Sequence, residues 1–176
     1  MTNNSPQKSR KKQIRRPYII DVEASGFGQH SYPIEIGLAL EQGERYCSLL
    51  SPAPEWTHWD ETAEKIHCVT RECLALNGNP IAQVANDLNR LLKGCTIYSD
   101  GWVVDKPWLT TLFYAAKIPQ HFSISPIEMI LSEDQMSIWH DTKTRITREL
   151  ALKRHRASAD ALIIQETYVK TWESTC

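Results

Sequence analysis

Tyr18-Ile-Ile-Asp-Val-Glu-Ala24 mixes apolar and acidic side chains in a segment rich in β-branched residues, which predicts a β-strand. Because side chains on a strand point alternately to opposite faces, Asp21 and Glu23 share one face, and Ile20 and Val22 point the other way into a core. Neighbouring carboxylates repel each other, and Asp is disfavoured in strands. The acidic face is therefore either a cation site, where a metal ion removes the repulsion, or a solvated surface.

The segments after this strand predict an α/β domain. Residues 34–40 and 45–50 are typical of two further strands, and the short polar loop between them suits a hairpin. More strands are expected at 95–98 and within 122–131. The predicted helices, from caps and apolar periodicity, span 62–67, 70–76, 81–92, 106–117, 142–153 and 157–172. An antiparallel meander followed by alternating helices and strands gives a mixed sheet, with antiparallel and parallel strands, flanked by helices, and we expect the first strand to be central.

Composition and charge predict a flexible basic tail at residues 1–16 and a single domain at residues 17–176. The tail holds six Lys and Arg and no acid, whereas the remainder holds 14 Lys and Arg against 21 Asp and Glu. Such a tail is either a nucleic-acid arm or a solvating extension. No apolar run is long enough to span a membrane. Five cysteines without a CxxC pair indicate a reducing cytosol, hence a cytoplasmic protein, with most of the thiols buried.

Two more parts of the chain carry acids where a site is expected. Asp105 follows the predicted strand at 95–98, and the end of a strand is a common place for a site residue. Its alternative role is to cap the next helix. Asp100 is a rival carboxylate, and we prefer Asp105. Near the end, His155 and Asp160 are five residues apart, a spacing that brings them together only when the histidine lies in a loop and the acid in the first turns of the last helix.

The order of these residues resembles that of the DEDDh branch of the DnaQ-like 3′–5′ exonucleases. The similarity covers residues 17–172, and Ile66–Glu72 is also similar to a family segment, Ile-His-Gly-Ile-Thr-x-Glu. The family's second motif often has a His-Asn pair upstream of its aspartate and a Phe just before it, whereas this chain has Asp100-Gly101-Trp102-Val-Val before Asp105. This departure bears on substrate positioning. The matching motifs are Asp21-x-Glu23, Asp105 and His155-x-Ala157-x-x-Asp160-Ala161.

The resemblance implies a ribonuclease-H-like fold and a metal-dependent 3′–5′ exonuclease. Its cofactors would be two divalent cations, Mg²⁺ or Mn²⁺, which activate a water and stabilise the leaving oxygen. His155 would be the general base. The implied partners are 3′ ends of single-stranded RNA or DNA, which would be shortened to nucleoside 5′-monophosphates, and the family also allows a homodimer. The implied metal ligands are Asp21, Glu23, Asp105 and Asp160.

Substrate contacts are expected from both sides of the acids. The resemblance implies that the backbone around Ala24 approaches the terminal nucleotide and that Phe27 stacks on the last bases. His67 either borders the same pocket or is a structural histidine at a helix end. A basic cluster before His155 is either a phosphate-binding surface or a solvated helix face. Its members are Lys143, Arg145, Arg148, Lys153, Arg154 and Arg156.

Two other functions remain open from the sequence. One is a catalytically silent nucleic-acid-binding or adaptor module on the same fold. The other is a metal-dependent endonuclease, which would release internal fragments and not a ladder shortened from the 3′ end. The choice between RNA and DNA is open as well, because the 2′-hydroxyl is sensed by a few groups that no motif identifies.

Overall fold

A six-stranded mixed sheet forms the centre of the computed structural model, which describes residues 14–176. The strands are β1 (Ile19–Ala24), β2 (Pro33–Ala39), β3 (Arg45–Ser51), β4 (Asn79–Pro80), β5 (Thr96–Ser99) and β6 (Ser123–Pro126). Their order across the sheet is β4-β3-β2-β1-β5-β6. β1 pairs antiparallel with β2 and parallel with β5. The predicted meander, the mixed sheet and the central position of the first strand are confirmed.

Within residues 14–176, six α-helices flank the sheet. They are α1 (Glu61–His67), α2 (Arg71–Asn77), α3 (Ile81–Leu92), α4 (Trp102–Ala116), α5 (Glu133–Leu150) and α6 (Ala157–Thr175). α2 begins where its sequence predicts, because the Thr70 hydroxyl accepts the backbone N–H of Cys73. Two predicted starts are wrong. α4 begins at Trp102 and not at 106, because the Asp105 N–H already bonds the Gly101 carbonyl and the helix accommodates Pro107 within it.

The start of α5 is the larger correction, since it lies nine residues before the predicted position 142. The Ser132 hydroxyl accepts the backbone N–H of Gln135, and the Gln135 side chain accepts the N–H of Ser132. This reciprocal pair is a capping box, which the sequence Ser-x-x-Gln announces. The strand expected within 122–131 is also shorter than that range, because a 3₁₀ turn (Ile127–Ile130) follows β6.

The two faces of β1 serve different purposes. Ile20 and Val22 join the larger apolar cluster under α3 and α4, as the alternation predicts. Ile19, on the opposite face, packs with Ala161 and Ile164 of α6. Asp21 and Glu23 share the face of Ile19. The acidic side of β1 is therefore turned toward the last helix.

The first turn of α6 is fixed to β2 by a buried ion pair and by a glycine. Glu35 is fully buried, and both of its carboxylate oxygens accept hydrogen bonds from the Arg156 guanidinium at 2.6–3.0 Å. One oxygen also accepts the backbone N–H of Ala157 at 3.0 Å. Two residues along β2, a Cβ on Gly37 would lie 2.1 Å from the backbone of Ala157 and Ser158. Only glycine allows the helix to approach the strand so closely.

Three other predictions concern the cysteines, the basic tail and membrane-spanning segments. None of the five cysteines is buried, so the prediction of buried thiols is wrong. The first 13 residues of the basic tail lie outside the described residues. Arg15 and Arg16 pair with Glu41 and Glu166. Among residues 14–176, no helix is long and apolar enough to cross a membrane.

We predict that Gly37→Ala lowers the free energy of unfolding by more than about 2 kcal/mol, because the new methyl group meets backbone atoms that have no flexible side chain to yield. Thermal or urea denaturation measures the effect. Gly94→Ala is the matched control. Gly94 has a φ of +74°, and no atom lies within 4 Å of the position that a Cβ would take, so only the cost of a left-handed alanine remains, about 1 kcal/mol. Equal losses in the two variants would contradict the close helix contact.

Candidate metal centre

Strand β1 and the first turn of α6 bring together residues from opposite ends of the chain. Glu23, His155 and Asp160 each offer a ligand atom, and these atoms all lie within 4.8 Å of one another. Asp21 and Asp105 are not in that group, but both are near enough to act on the other carboxylates electrostatically. The five residues singled out from the sequence thus lie around one end of the central strand.

His155 and Asp160 occupy the two kinds of structure that their spacing requires. His155 is exposed in the loop between α5 and α6 with a φ of +57°, and Asp160 is buried in the first turn of α6. The backbone N–H of His155 donates to an Asp160 oxygen at 2.7 Å. The other Asp160 oxygen forms an ion pair with the Arg154 guanidinium, also at 2.7 Å. Asp160 therefore organises the histidine loop as well as facing β1.

The structure separates the two rival acids after β5. Asp105 is buried in the first turns of α4, where it accepts a hydrogen bond from the Ser99 hydroxyl and another from the backbone of Val22 in β1. Asp100 instead forms an ion pair with Lys143 of α5. A carboxylate that touches the backbone between Asp21 and Glu23 stands beside the acidic face, and Asp105 is that carboxylate. It lies inside α4 and does not cap the helix.

The four acids around the end of β1, here called the acidic cluster, carry more negative charge than nearby cations compensate. They are Asp21, Glu23, Asp105 and Asp160. Burial raises the pKa of Asp21 well above its ordinary value, and the negative charges of Asp105 and Glu23 add to the effect. Burial, with Asp160 and Glu35 nearby, raises the pKa of Glu23 to about 7. Burial likewise raises the pKa of Asp105 to about 7, although the Ser99 hydrogen bond opposes it. Bringing these groups together costs free energy that a cation would offset.

The donor set suits hard divalent cations. Carboxylate oxygens are the ligands that Mg²⁺ and Mn²⁺ prefer, and a histidine nitrogen completes the group of three. Burial is the main cause of the raised pKa values of Asp21 and Asp105, and a bound cation would oppose it. The residues present therefore fit divalent metal ions.

The three predicted substrate contacts have different surroundings. The Ala24 side chain is buried in the core at the end of β1, beside a shift in the β1–β2 register. Phe27 is 71% exposed and leans on Trp108, with ring centroids 6.0 Å apart. His67 is buried, and its Nδ1 accepts the backbone N–H of Val69 at 3.0 Å. Among the described residues, His67 Nε2 is the buried side-chain nitrogen or oxygen without a hydrogen-bond partner.

Some residues that shape the site were missed or misjudged from the sequence. Arg156 belongs by sequence to the basic cluster, but its guanidinium is occupied by Glu35, so it is not a free phosphate ligand. Glu35 itself gave no signal beyond an acid between two isoleucines in a predicted strand. Ser99, the partner of Asp105, was likewise missed, although a hydroxyl at a strand end next to an acid could have suggested the contact.

The strand order and the flanking helices place the chain in the ribonuclease-H-like α/β fold of exonucleases, which confirms the predicted fold class. The solved structures that show this are of exonuclease I. One, on the origin of its processivity, superposes with a TM-score of 0.68 at 15% identity over 89% of this chain. A product-bound exonuclease I gives 0.67 at 15% over 92%. E. coli exonuclease I with a dT13 oligonucleotide gives 0.67 at 15% over 90%.

The similarity is one of fold, and it extends over only part of each exonuclease I chain. The chain spans 40% of the first and third of these exonuclease I chains and 44% of the second. No protein-family model matches the sequence, and no curated protein is detectably similar to it. The chain therefore resembles exonuclease I in fold but hardly in sequence. Such a relation is expected when the pattern of core packing is kept while individual residues differ.

We predict that Asp105→Asn stabilises the metal-free protein near neutral pH and above. The pKa of Asp105 is about 7 when folded against 3.8 for an ordinary Asp, so the folded chain holds a proton that the unfolded chain releases. This group's contribution to stability is therefore present at low pH and declines as the pH rises from about 4 to about 7. Asparagine keeps the shape without the charge, so the gain with EDTA is on the order of 4 kcal/mol above pH 7 and vanishes below about pH 4.

Thermal denaturation across this pH range measures the difference. Asp87→Asn is the matched control, because it removes a partly exposed carboxylate of α3 that is paired with Arg90 and does not act on the pKa of Asp105. We expect no gain from it at any pH. Equal stability of Asp105→Asn and the unaltered protein above pH 7 would show that Asp105 carries no unbalanced buried charge.

Proposed function

We propose that this chain is a metal-dependent 3′–5′ exonuclease of the DEDDh type, which hydrolyses the terminal phosphodiester of single-stranded nucleic acid and releases nucleoside 5′-monophosphates. The observation that carries the proposal is the unbalanced acidic cluster around the end of β1, with His155 beside Glu23 and Asp160. Buried like charges without partners are rarely tolerated unless a site uses them. The fold shared with exonuclease I supports the same interpretation.

The proposed roles follow from position. Two divalent cations, Mg²⁺ or Mn²⁺, would be held by Asp21, Glu23, Asp105 and Asp160, and when bound they supply an activated water and neutralise charge on the leaving oxygen. His155 accepts the proton of the attacking water. Its exposure suits this task, because a base in an open loop exchanges its proton with solvent after each turnover.

Asp160 has a second proposed role, which is to hold the histidine in place. Its oxygen accepts the backbone N–H of His155, and this hydrogen bond fixes the loop in a conformation with positive φ that non-glycine residues seldom adopt. The catalytic loop is thus defined by a proposed metal ligand. Changes at Asp160 are expected to affect both cation binding and the position of the base.

His67 fits a role as a donor to the substrate. Because its Nδ1 accepts a backbone N–H, its proton resides on Nε2, which lies buried without a partner. A buried donor left unpaired costs free energy that a substrate oxygen would recover. Glu35, His155 and Arg156 all act electrostatically on the pKa of His67, so the ring lies near the cleft. Burial lowers that pKa, which keeps the ring neutral.

Single-stranded DNA is the first substrate to test. Solved structures of E. coli exonuclease I, which share this fold, include complexes with dT13, with dA16 and with single-stranded DNA in a zinc-bound form. RNA stays an equal candidate on chemistry, because none of the described contacts distinguishes the 2′-hydroxyl. Parallel assays on both nucleic acids decide the choice.

We predict that Asp21→Asn and His155→Ala abolish mononucleotide release from 5′-labelled single strands, with a loss of about 10²–10⁴-fold for the histidine, because each removes a group at the reacting centre. Denaturing gels with Mg²⁺, Mn²⁺ or EDTA give the measurement. His121→Ala is the control, since this exposed histidine precedes β6 at the opposite end of the parallel strands. A one-nucleotide ladder that requires metal supports the proposal.

Two outcomes would overturn the exonuclease assignment and name its replacement. Internal fragments with unchanged 3′ ends would identify an endonuclease. Metal-independent strand binding by a folded protein, with intact substrate under every condition, would identify the binding module. Full activity in purified Asp21→Asn would exclude the acidic cluster as the reacting centre.

A second prediction concerns base stacking. Phe27→Ala should raise KM for oligonucleotides about tenfold and leave kcat nearly unchanged, because an exposed ring is worth roughly 1–3 kcal/mol when a base stacks on it. Steady-state kinetics separate the two constants. Tyr114→Ala is the matched control, an aromatic that is 86% exposed near the far end of α4. An unchanged KM in Phe27→Ala would remove Phe27 from the substrate path.

A further inference from the structure

A groove of about 360 Å³ lies beside the candidate metal centre, between α5 and the loop that carries His155. It is lined by His140, Lys143, Thr144, Thr147, Arg148 and Arg154. Three of these side chains are cationic, two offer hydroxyls, and none is acidic. Such a lining is unlike the rest of the chain, whose residues after position 16 carry more acids than bases. Its chemistry fits a phosphate group.

The groove adjoins the acidic cluster through Arg154, and a second of its cations is paired with Asp100 nearby. Arg154 reaches from it to an Asp160 oxygen at 2.7 Å, and Lys143 reaches to Asp100. Arg148, by contrast, is exposed and has no hydrogen bond or ion pair within residues 14–176. The wall shared with the metal centre is thus neutralised, and the outer wall keeps an uncompensated positive charge.

We propose that this groove binds a backbone phosphate of the substrate strand, on the 5′ side of the bond that is cut. The proposal rests on the proposed exonuclease function and adds a second contact to it. A strand whose terminal phosphodiester lies among these carboxylates needs positive surface for its next phosphates, because the acids repel them. This groove is a cationic surface in contact with the acidic cluster through Arg154 and Asp160, and Arg148 is its available donor.

The number of phosphates in the substrate provides the test. A dinucleotide has a single phosphodiester, which must lie at the reacting centre, so nothing is left for the groove. Arg148→Gln should therefore leave dinucleotide hydrolysis unchanged. It should weaken binding of a short single-stranded oligonucleotide about fivefold, as expected for an exposed charged contact. The slope of log K against log salt should also decrease by about 0.7, the value for one phosphate on a single strand.

Fluorescence anisotropy with a 5′-labelled oligonucleotide, in Ca²⁺ to slow turnover, measures affinity and salt slope together. Arg145→Gln is the matched control. It removes the same charge from an exposed position on the same helix, but Arg145 lies outside the groove and 3.8 Å from Glu149. We expect less than about a twofold effect from it, because an exposed charge that is already paired contributes little. Arg148→Lys should restore the salt slope.

The outcomes separate this proposal from the one on which it rests. Equal effects of Arg148→Gln and Arg145→Gln overturn the groove contact, and a wild-type ladder then leaves the exonuclease standing. A strand that binds with an Arg148-dependent salt slope, but is never cut, supports the groove and overturns the exonuclease. Inorganic phosphate that shifts the Arg148 side-chain NMR signal, with strand affinity unaltered in Arg148→Gln, overturns the strand contact in favour of free phosphate.

Discussion

A carboxylate with no exposure to solvent determines where the last helix begins. Glu35 receives the Arg156 guanidinium and the Ala157 N–H, while Gly37 lets the helix backbone lie against β2. Burial alone would disfavour the charged form, but the hydrogen bonds outweigh it and hold the pKa of Glu35 below its ordinary value. Removing one partner of such a pair costs about 3–5 kcal/mol. The position of Asp160 beside β1 depends on this contact together with the packing of Ala161 and Ile164 on Ile19.

Packing of the core stabilises β1 but holds the carboxylates of the acidic cluster close together, which costs free energy. The face of β1 opposite the acids packs into the largest apolar cluster, so the strand cannot turn its carboxylates toward water without losing that packing. The acids therefore stay close together and partly dehydrated, which raises the pKa values of Asp21, Glu23 and Asp105. Bound cations would recover the stability that the crowded acids cost, so that folding and cation binding would be linked.

Much of the fold was readable from the sequence because its signals are local. The alternation in 18–24 predicted β1 and the side of its acids, and the spacing of His155 and Asp160 predicted a loop followed by a helix. The start of α5 was also readable, in its Ser-x-x-Gln capping box, but was overlooked. Glu35 was not readable, because its partner lies 121 residues away and the pairing exists only after folding. The same limit explains why Arg156 looked like a surface charge.

Of the four acids around the end of β1, Asp21 and Glu23 come from the first strand that the structure describes and Asp160 comes from α6, with more than 130 residues between Glu23 and Asp160. A ribosome must therefore translate β1 through α6 before these acids can meet, and a nascent chain without α6 lacks Asp160. For the proposed nuclease, activity would be withheld until α6 has been made and has folded. Any later detachment of the last helix would return the protein to this inert state.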